Sequence, residues 1–105
     1  MRSDCARLRD VLAACNAIES HLSRGDIDDD LVFDAIRIRL VEIGEAVKDI
    51  DPTSLSSEPR VPWTSMARMR DQLAHRYFDT AHSIVNTTAR HDVPVLKAAV
   101  TRLLG

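Results

Sequence analysis

The chain is predicted to be all-α: an antiparallel bundle of four to five helices in a single domain spanning residues 1–105. Three observations carry this. Apolar residues recur at steps of three and four through nearly every segment. No stretch alternates in the strand manner, and no internal repeat or low-complexity tract interrupts the pattern. The one clear break, at residues 51–61, holds Pro52, Pro59 and four serines or threonines. At 105 residues and 45% hydrophobic, the chain can fill one core and no more. A domain this small buries a limited share of its surface, so association with a second copy is expected.

In the first helix Leu8, Val11, Leu12, Cys15, Ile18 and Leu22 form one stripe, which Gly25 ends. The second starts near Asp28–Asp30, where acids suit the positive end of a helix dipole. Phe33, Ile36, Leu40, Ile43, Val47 and Ile50 then step 3, 4, 3, 4, 3 in a heptad-like seam, which Ile38, Val41 and Ala46 widen. Gly44 sits inside this helix at a cost to its stability, and it predicts close approach by another backbone.

Pro62 and Trp63 open the third helix, with proline placed where its missing N–H does no harm. Trp63, Met66, Ala67, Arg70, Leu73, Ala74 and Tyr77 share a face. Asp79 or Thr80 is expected to cap a fourth helix from about Ala81. Pro94 breaks or kinks it, after which Val95, Leu96, Ala99, Val100 and Leu103 resume a helical stripe.

The net charge of −2 gives no global pull toward nucleic acid, but the distribution is uneven. Residues 60–77 carry four arginines (Arg60, Arg68, Arg70, Arg76) against Asp71, a local +3, while Asp26, Asp28, Asp29, Asp30 and Asp34 form an acidic patch. Local sign steers an anion even where the total is near zero. Twelve of the fourteen cations are arginine, whose planar fork suits phosphate. Cys5 and Cys15 lie about 15 Å apart on one helix, too far for a disulfide. Two lone thiols, no signal peptide and no apolar run of spanning length predict a soluble protein of a reducing cytoplasm, with no membrane contact.

The histidines are His21, His75, His82 and His91. None are paired at i, i+4, so no metal site is expected. Glu42 and Glu45 have no Glu-x-x-His partner nearby and read as a solvated face. No glycine-rich phosphate loop exists, and no cofactor is expected. What remains is the stretch "MRDQLAHRYFDT". An arginine followed four to six residues later by a histidine is expected by chance about 1.4 times in such a chain, so spacing alone selects little. Arg68–His75 and Arg76–His82 also satisfy it. Arg70 and His75 project roughly 140° apart on an ideal helix, so they can flank one phosphate but cannot form a tight pair. Asp71 and His75, four apart, share a face, and a carboxylate on one imidazole nitrogen leaves the other free for proton transfer. Tyr77 falls on the Arg70 side. The same residues also suit a surface salt bridge, a surface hydrogen bond and a core tyrosine.

The segments "RLVEIGEAVKDI", "PWTSMARMRDQLAHRYFDT" and "HDVPVLKAAV", in this order and flanking a proline-bearing loop, resemble the HepT-like branch of the HEPN superfamily over nearly the whole chain. That family's motif is arginine, a polar residue, three more, histidine, any residue, tyrosine. It matches Arg70, Asp71, His75 and Tyr77, with Arg76 at the free position. The resemblance implies an all-α homodimer with two motifs along a cleft. It implies a metal-independent endoribonuclease acting on RNA as the toxin of a toxin–antitoxin pair. It further implies an MntA-like nucleotidyltransferase antitoxin that transfers AMP onto Tyr77. In that reading Arg70 stabilises charge on the phosphorane, His75 moves the proton and Asp71 orients it; the dimer seam uses the Phe33–Ile50 helix or the third helix. Asp71 departs from the asparagine of many relatives, and its charge works against phosphate. Two other classes fit the sequence: a non-catalytic module that docks a nucleotidyltransferase, and a purely structural helical dimer.

Overall fold

A computed structural model describes residues 3–75 and 78–105, with the side chains of all of these except residues 75 and 78–81. The architecture is all-helical, with five α-helices among the described residues: α1 (Asp4–Arg24), α2 (Asp30–Lys48), α3 (Trp63–His75), α4 (Phe78–Thr87) and α5 (Val93–Leu104). α2 is the centre of the packing, with α1 and α3 against it, while α5 closes the far side of α1. Among the described residues no helix is long and apolar enough to cross a membrane.

Local chemistry sets the helix ends. The Ser3 hydroxyl accepts from the Ala6 N–H at 3.1 Å and caps α1. The Asp29 carboxylate accepts from the Leu31 N–H at 2.9 Å and caps α2 where the acidic run predicted a start. Each cap satisfies a donor that the first turn leaves without an intrahelical partner. α1 ends at Arg24, immediately before Gly25.

The predicted seam of α2 is the core. Ile36, Leu40 and Ile43 are fully buried, as are Val11, Cys15 and Ile18 of α1 facing them. Ile38 is an exception at 51% exposed. It lies two residues, about 200°, beyond Ile36, and so points away from the contact. On α3 the buried set is Met66, Met69 and Leu73. The expected face included Ala74, which is exposed, and omitted Met69, whose 3, 4 spacing with its neighbours completes the stripe.

The 51–61 connection is irregular except for one 3₁₀ turn at Pro52–Leu55, where the Asp51 carboxylate accepts from the Thr53 N–H at 2.9 Å. Buried Leu55 and Val61 pin it to the core. The Trp63 indole N–H donates to the Glu58 carbonyl at 2.9 Å, and the Arg102 fork grips the Glu58 carboxylate at 2.7 and 3.0 Å. The hydrogen bonds from Arg102 hold the Glu58 carboxyl below the usual carboxylate range.

Two expectations near the C-terminal half are corrected. α4 begins at Phe78, so Asp79 and Thr80 lie inside it and neither is its cap. Pro94 does not break the chain's helical path. A π-helical turn at Thr88–Asp92 joins α4 directly to α5, with the Val93 N–H donating to the Thr88 carbonyl. Proline lacks an N–H to give its own i−4 carbonyl, and the widened turn seats Pro94 in the first turn of α5, where that N–H is not needed.

Candidate active site

The motif stretch occupies the second half of α3 and the residues after it. Its position is set by Gly44. A Cβ built on Gly44 would lie 2.7 Å from the Cβ of Arg70, 3.0 Å from its nitrogen and 3.0 Å from the Met66 carbonyl oxygen. Real side chains do not approach so closely, so only glycine lets α3 rest on α2 at this height. The predicted close approach is there, and the backbone that approaches is the one carrying Arg70.

A second tie lies one turn further along. Arg37 of α2 donates from Nη1 to the Leu73 carbonyl at 2.8 Å. This bond ties an α2 side chain to the backbone of α3 three residues beyond Arg70. The contacts 44 to 70 and 37 to 73 run in opposite senses, so α2 and α3 are antiparallel.

Arg70 is about one-third exposed and sits between two carboxylates. Its Nε donates to Glu45 Oε1 across the helix interface, and its Nη1 donates to Asp71 Oδ1 at 3.0 Å. The Asp71 hydrogen bond, then that of Glu45, holds the guanidinium above its already high ordinary pKa. These three groups sum to −1, and Glu45 brings the +3 of the 60–77 stretch to +2.

Glu45 was expected to be part of a solvated face. It is 48% exposed, and its outer carboxylate oxygen engages the arginine singled out by the motif. The signal for this was Gly44: the residue beside a close-approach glycine stands at the edge of the facing helix. Glu45 also borders a groove of about 530 Å³ between α1 and α2. Four carboxylates (Asp10, Glu42, Glu45, Asp49) against two guanidiniums (Arg7, Arg39) make this groove net −2.

His75 lies on α3, five residues after Arg70. Its side chain lies outside the described residues, as does the Asp71–His75 pairing that depends on it. Tyr77 and Arg76 also lie outside them. The helical backbone from 70 to 75 keeps the two motif positions about 7.5 Å apart along the axis and roughly 140° apart around it.

The family model described as "Ribonuclease HepT-like" matches residues 5–103. The chain belongs to this family.

Among similar proteins, one from Thermococcus cleftensis named "Probable ribonuclease HepT" is 42% identical over 63% of this chain and 61% of its own length. A "Putative RNase" of Methanocaldococcus jannaschii is 35% identical over 66% of this chain and 65% of its own length. Both matches therefore span less than two thirds of the relative. A "Putative RNase" of Caldanaerobacter subterraneus is 30% identical over 99% of this chain and 96% of its own length. No solved structure matches the chain.

Proposed function

We propose that this HepT-like chain is a metal-independent endoribonuclease that cuts RNA through its own 2′-hydroxyl, and that it is the toxin of a toxin–antitoxin pair. The observation that carries this is Arg70. The helix interface places it at the edge of α3, and it is held by hydrogen bonds on two of its three nitrogens. Family membership and the names of the relatives support the same reading.

The chemistry balances without further reagents. The 2′-oxygen attacks phosphorus and forms a P–O2′ bond while its proton passes to an imidazole, assigned to His75. The P–O5′ bond breaks and the departing 5′ oxygen takes a proton from the imidazolium so formed. The products are a 2′,3′-cyclic phosphate and a 5′-hydroxyl. Arg70 donates to the phosphorane oxygens as their charge grows. Asp71, which already grips Arg70 with Oδ1, orients His75 one turn on. A homodimer brings a second motif to the same groove and relieves the wide angular separation on a single helix.

Control of the activity is assigned to an MntA-like nucleotidyltransferase that places AMP on Tyr77. The added negative charge and bulk beside Arg70 repel a substrate phosphate. The acidic α1–α2 groove keeps RNA off that side, so the substrate approaches over α3, where Arg68 is exposed.

The test is an oligoribonucleotide that the wild-type protein cuts, compared with the same oligonucleotide carrying a single 2′-deoxy residue at the cut site. The proposal expects loss of that cut and cyclic-phosphate ends elsewhere. Cutting on the 3′ side of the deoxy residue would refute 2′-hydroxyl attack.

The double carboxylate grip, which leaves only part of the Arg70 fork for a phosphate, also fits one second reading, a non-catalytic module that docks a nucleotidyltransferase. Expression that is harmless, together with tight partner binding, identifies the module. Toxicity abolished by His75→Ala identifies the nuclease.

A further inference from the structure

Arg70 has five N–H donors on three nitrogens. Nε is taken by Glu45 and Nη1 by Asp71. Among the described residues Nη2 donates to none. In a guanidinium, Nη2 is the nitrogen that projects away from the side-chain stem, past the two nitrogens already gripped. Fixing two nitrogens of a planar group fixes the plane, and with it the direction of the third.

The two grips differ in kind. Asp71 is the next residue on the same helix, so it moves with Arg70 and cannot orient it relative to the rest of the protein. Glu45 belongs to α2. It is the described residue that ties the Arg70 guanidinium to another element. Its backbone follows Gly44, the position at which α3 is seated, so the distance between the two residues is fixed by the helix contact itself. An exposed ion pair of this kind contributes little to stability. A long side chain with several rotatable bonds needs such a tether when its fork must meet a transition state in one orientation.

We propose that Glu45 is a positioning residue: its carboxylate anchors Nε of Arg70 so that Nη2 is presented to the scissile phosphate. This rests on the nuclease reading above. It assigns Glu45 no contact with RNA and no proton transfer. The arrangement has an electrostatic consequence. A fixed anion close to the phosphate works against substrate binding, so Glu45 favours turnover at some expense of affinity.

The experiment pairs steady-state cleavage of an oligoribonucleotide with the ¹⁵N–¹H spectrum of arginine Nε groups, on the full chain, for wild type, Glu45→Ala and Glu45→Gln. Arg70→Lys identifies the Arg70 signal by its disappearance. The proposal expects an Nε–H signal for Arg70 in wild type that is protected from solvent exchange, lost in Glu45→Ala and retained in Glu45→Gln, whose amide oxygen still accepts. It expects kcat to fall by about 10²-fold in Glu45→Ala, the scale of a misplaced catalytic group, with KM unchanged or lower. Glu45→Gln recovers kcat to within roughly tenfold of wild type, since the hydrogen bond survives without the charge.

A rise in kcat/KM for Glu45→Ala with kcat maintained would make Glu45 a simple electrostatic brake and overturn the proposal. So would a wild-type Arg70 signal that exchanges freely, or equal kcat in all three proteins. If the Arg70 signal depends on Glu45 as expected but wild type cuts no RNA, the nuclease reading fails and the ion pair is left as a structural feature only.

Discussion

Gly44 and Arg70 meet without room for a methyl group: a Cβ on the glycine would lie 2.7 Å from the Cβ of the arginine. One residue of α2 therefore decides how close the motif helix lies, and the next, Glu45, takes hold of the arginine that the contact delivers.

Gly44→Ala tests that relationship. An added methyl meets backbone atoms of Met66 and Arg70, which cannot swing aside as a flexible side chain would. Overpacking of this kind costs about 1–3 kcal/mol, against about 1 kcal/mol regained from helix propensity. Chemical denaturation should therefore show a net loss of up to about 2 kcal/mol. RNA cleavage should fall by more than stability accounts for, because α3 is displaced along with its arginine.

Arg37→Met removes the donor to the Leu73 carbonyl while keeping most of the side-chain volume. A hydrogen bond from a charged group to a partly buried carbonyl contributes about 1–2 kcal/mol after allowance for exposure. Hydrogen exchange should accelerate around Leu73 ahead of the rest of α3, and a uniform change along α3 would argue against a local tie.

The two thiols should behave differently. Cys5 is exposed and Cys15 is fully buried, with burial pushing the Cys15 thiol up to about 12. A thiol reagent at neutral pH should titrate one cysteine per native chain and two per denatured chain. Because the folded value is raised, this contribution to stability is fully present below the ordinary value of 9.0 and is lost as pH climbs from there toward about 12. The loss is at most about 1.4 kcal/mol per pH unit in that window. Cys15→Ala should remove that dependence, at the expense of a small cavity.

Much of this architecture was legible because it is local. The 3, 4 steps of α2 name the buried residues Ile36, Leu40 and Ile43, and Gly44 announces a close contact before its partner is known. The acidic run at residues 28–30 marks where α2 is capped. Features that depend on partners far apart in sequence were less accessible. Nothing in the order of residues tells that Glu45 meets Arg70, 25 positions away, or that Arg37 serves Leu73, 36 positions away. Exposure of Ile38 followed from its angle relative to Ile36, which an inclusive apolar stripe overlooked. A break or a kink is what Pro94 predicts, and the π turn before it was not legible because proline's effect on a helix depends on whether the preceding turn can widen. The motif itself shows the same division: its residue types were visible along one helix, while the second carboxylate on Arg70 came into view only once α2 was placed beside it.

The most direct measurement of the central claim is cleavage of one RNA by the wild-type protein, Arg70→Ala and His75→Ala, each with a chelator present. The account predicts cleavage by wild type under these conditions and a loss of at least about 10²-fold in each variant, the usual weight of a transition-state donor or a general base. Equal cleavage by all three proteins, or cleavage by wild type only after a divalent metal is restored, would contradict it.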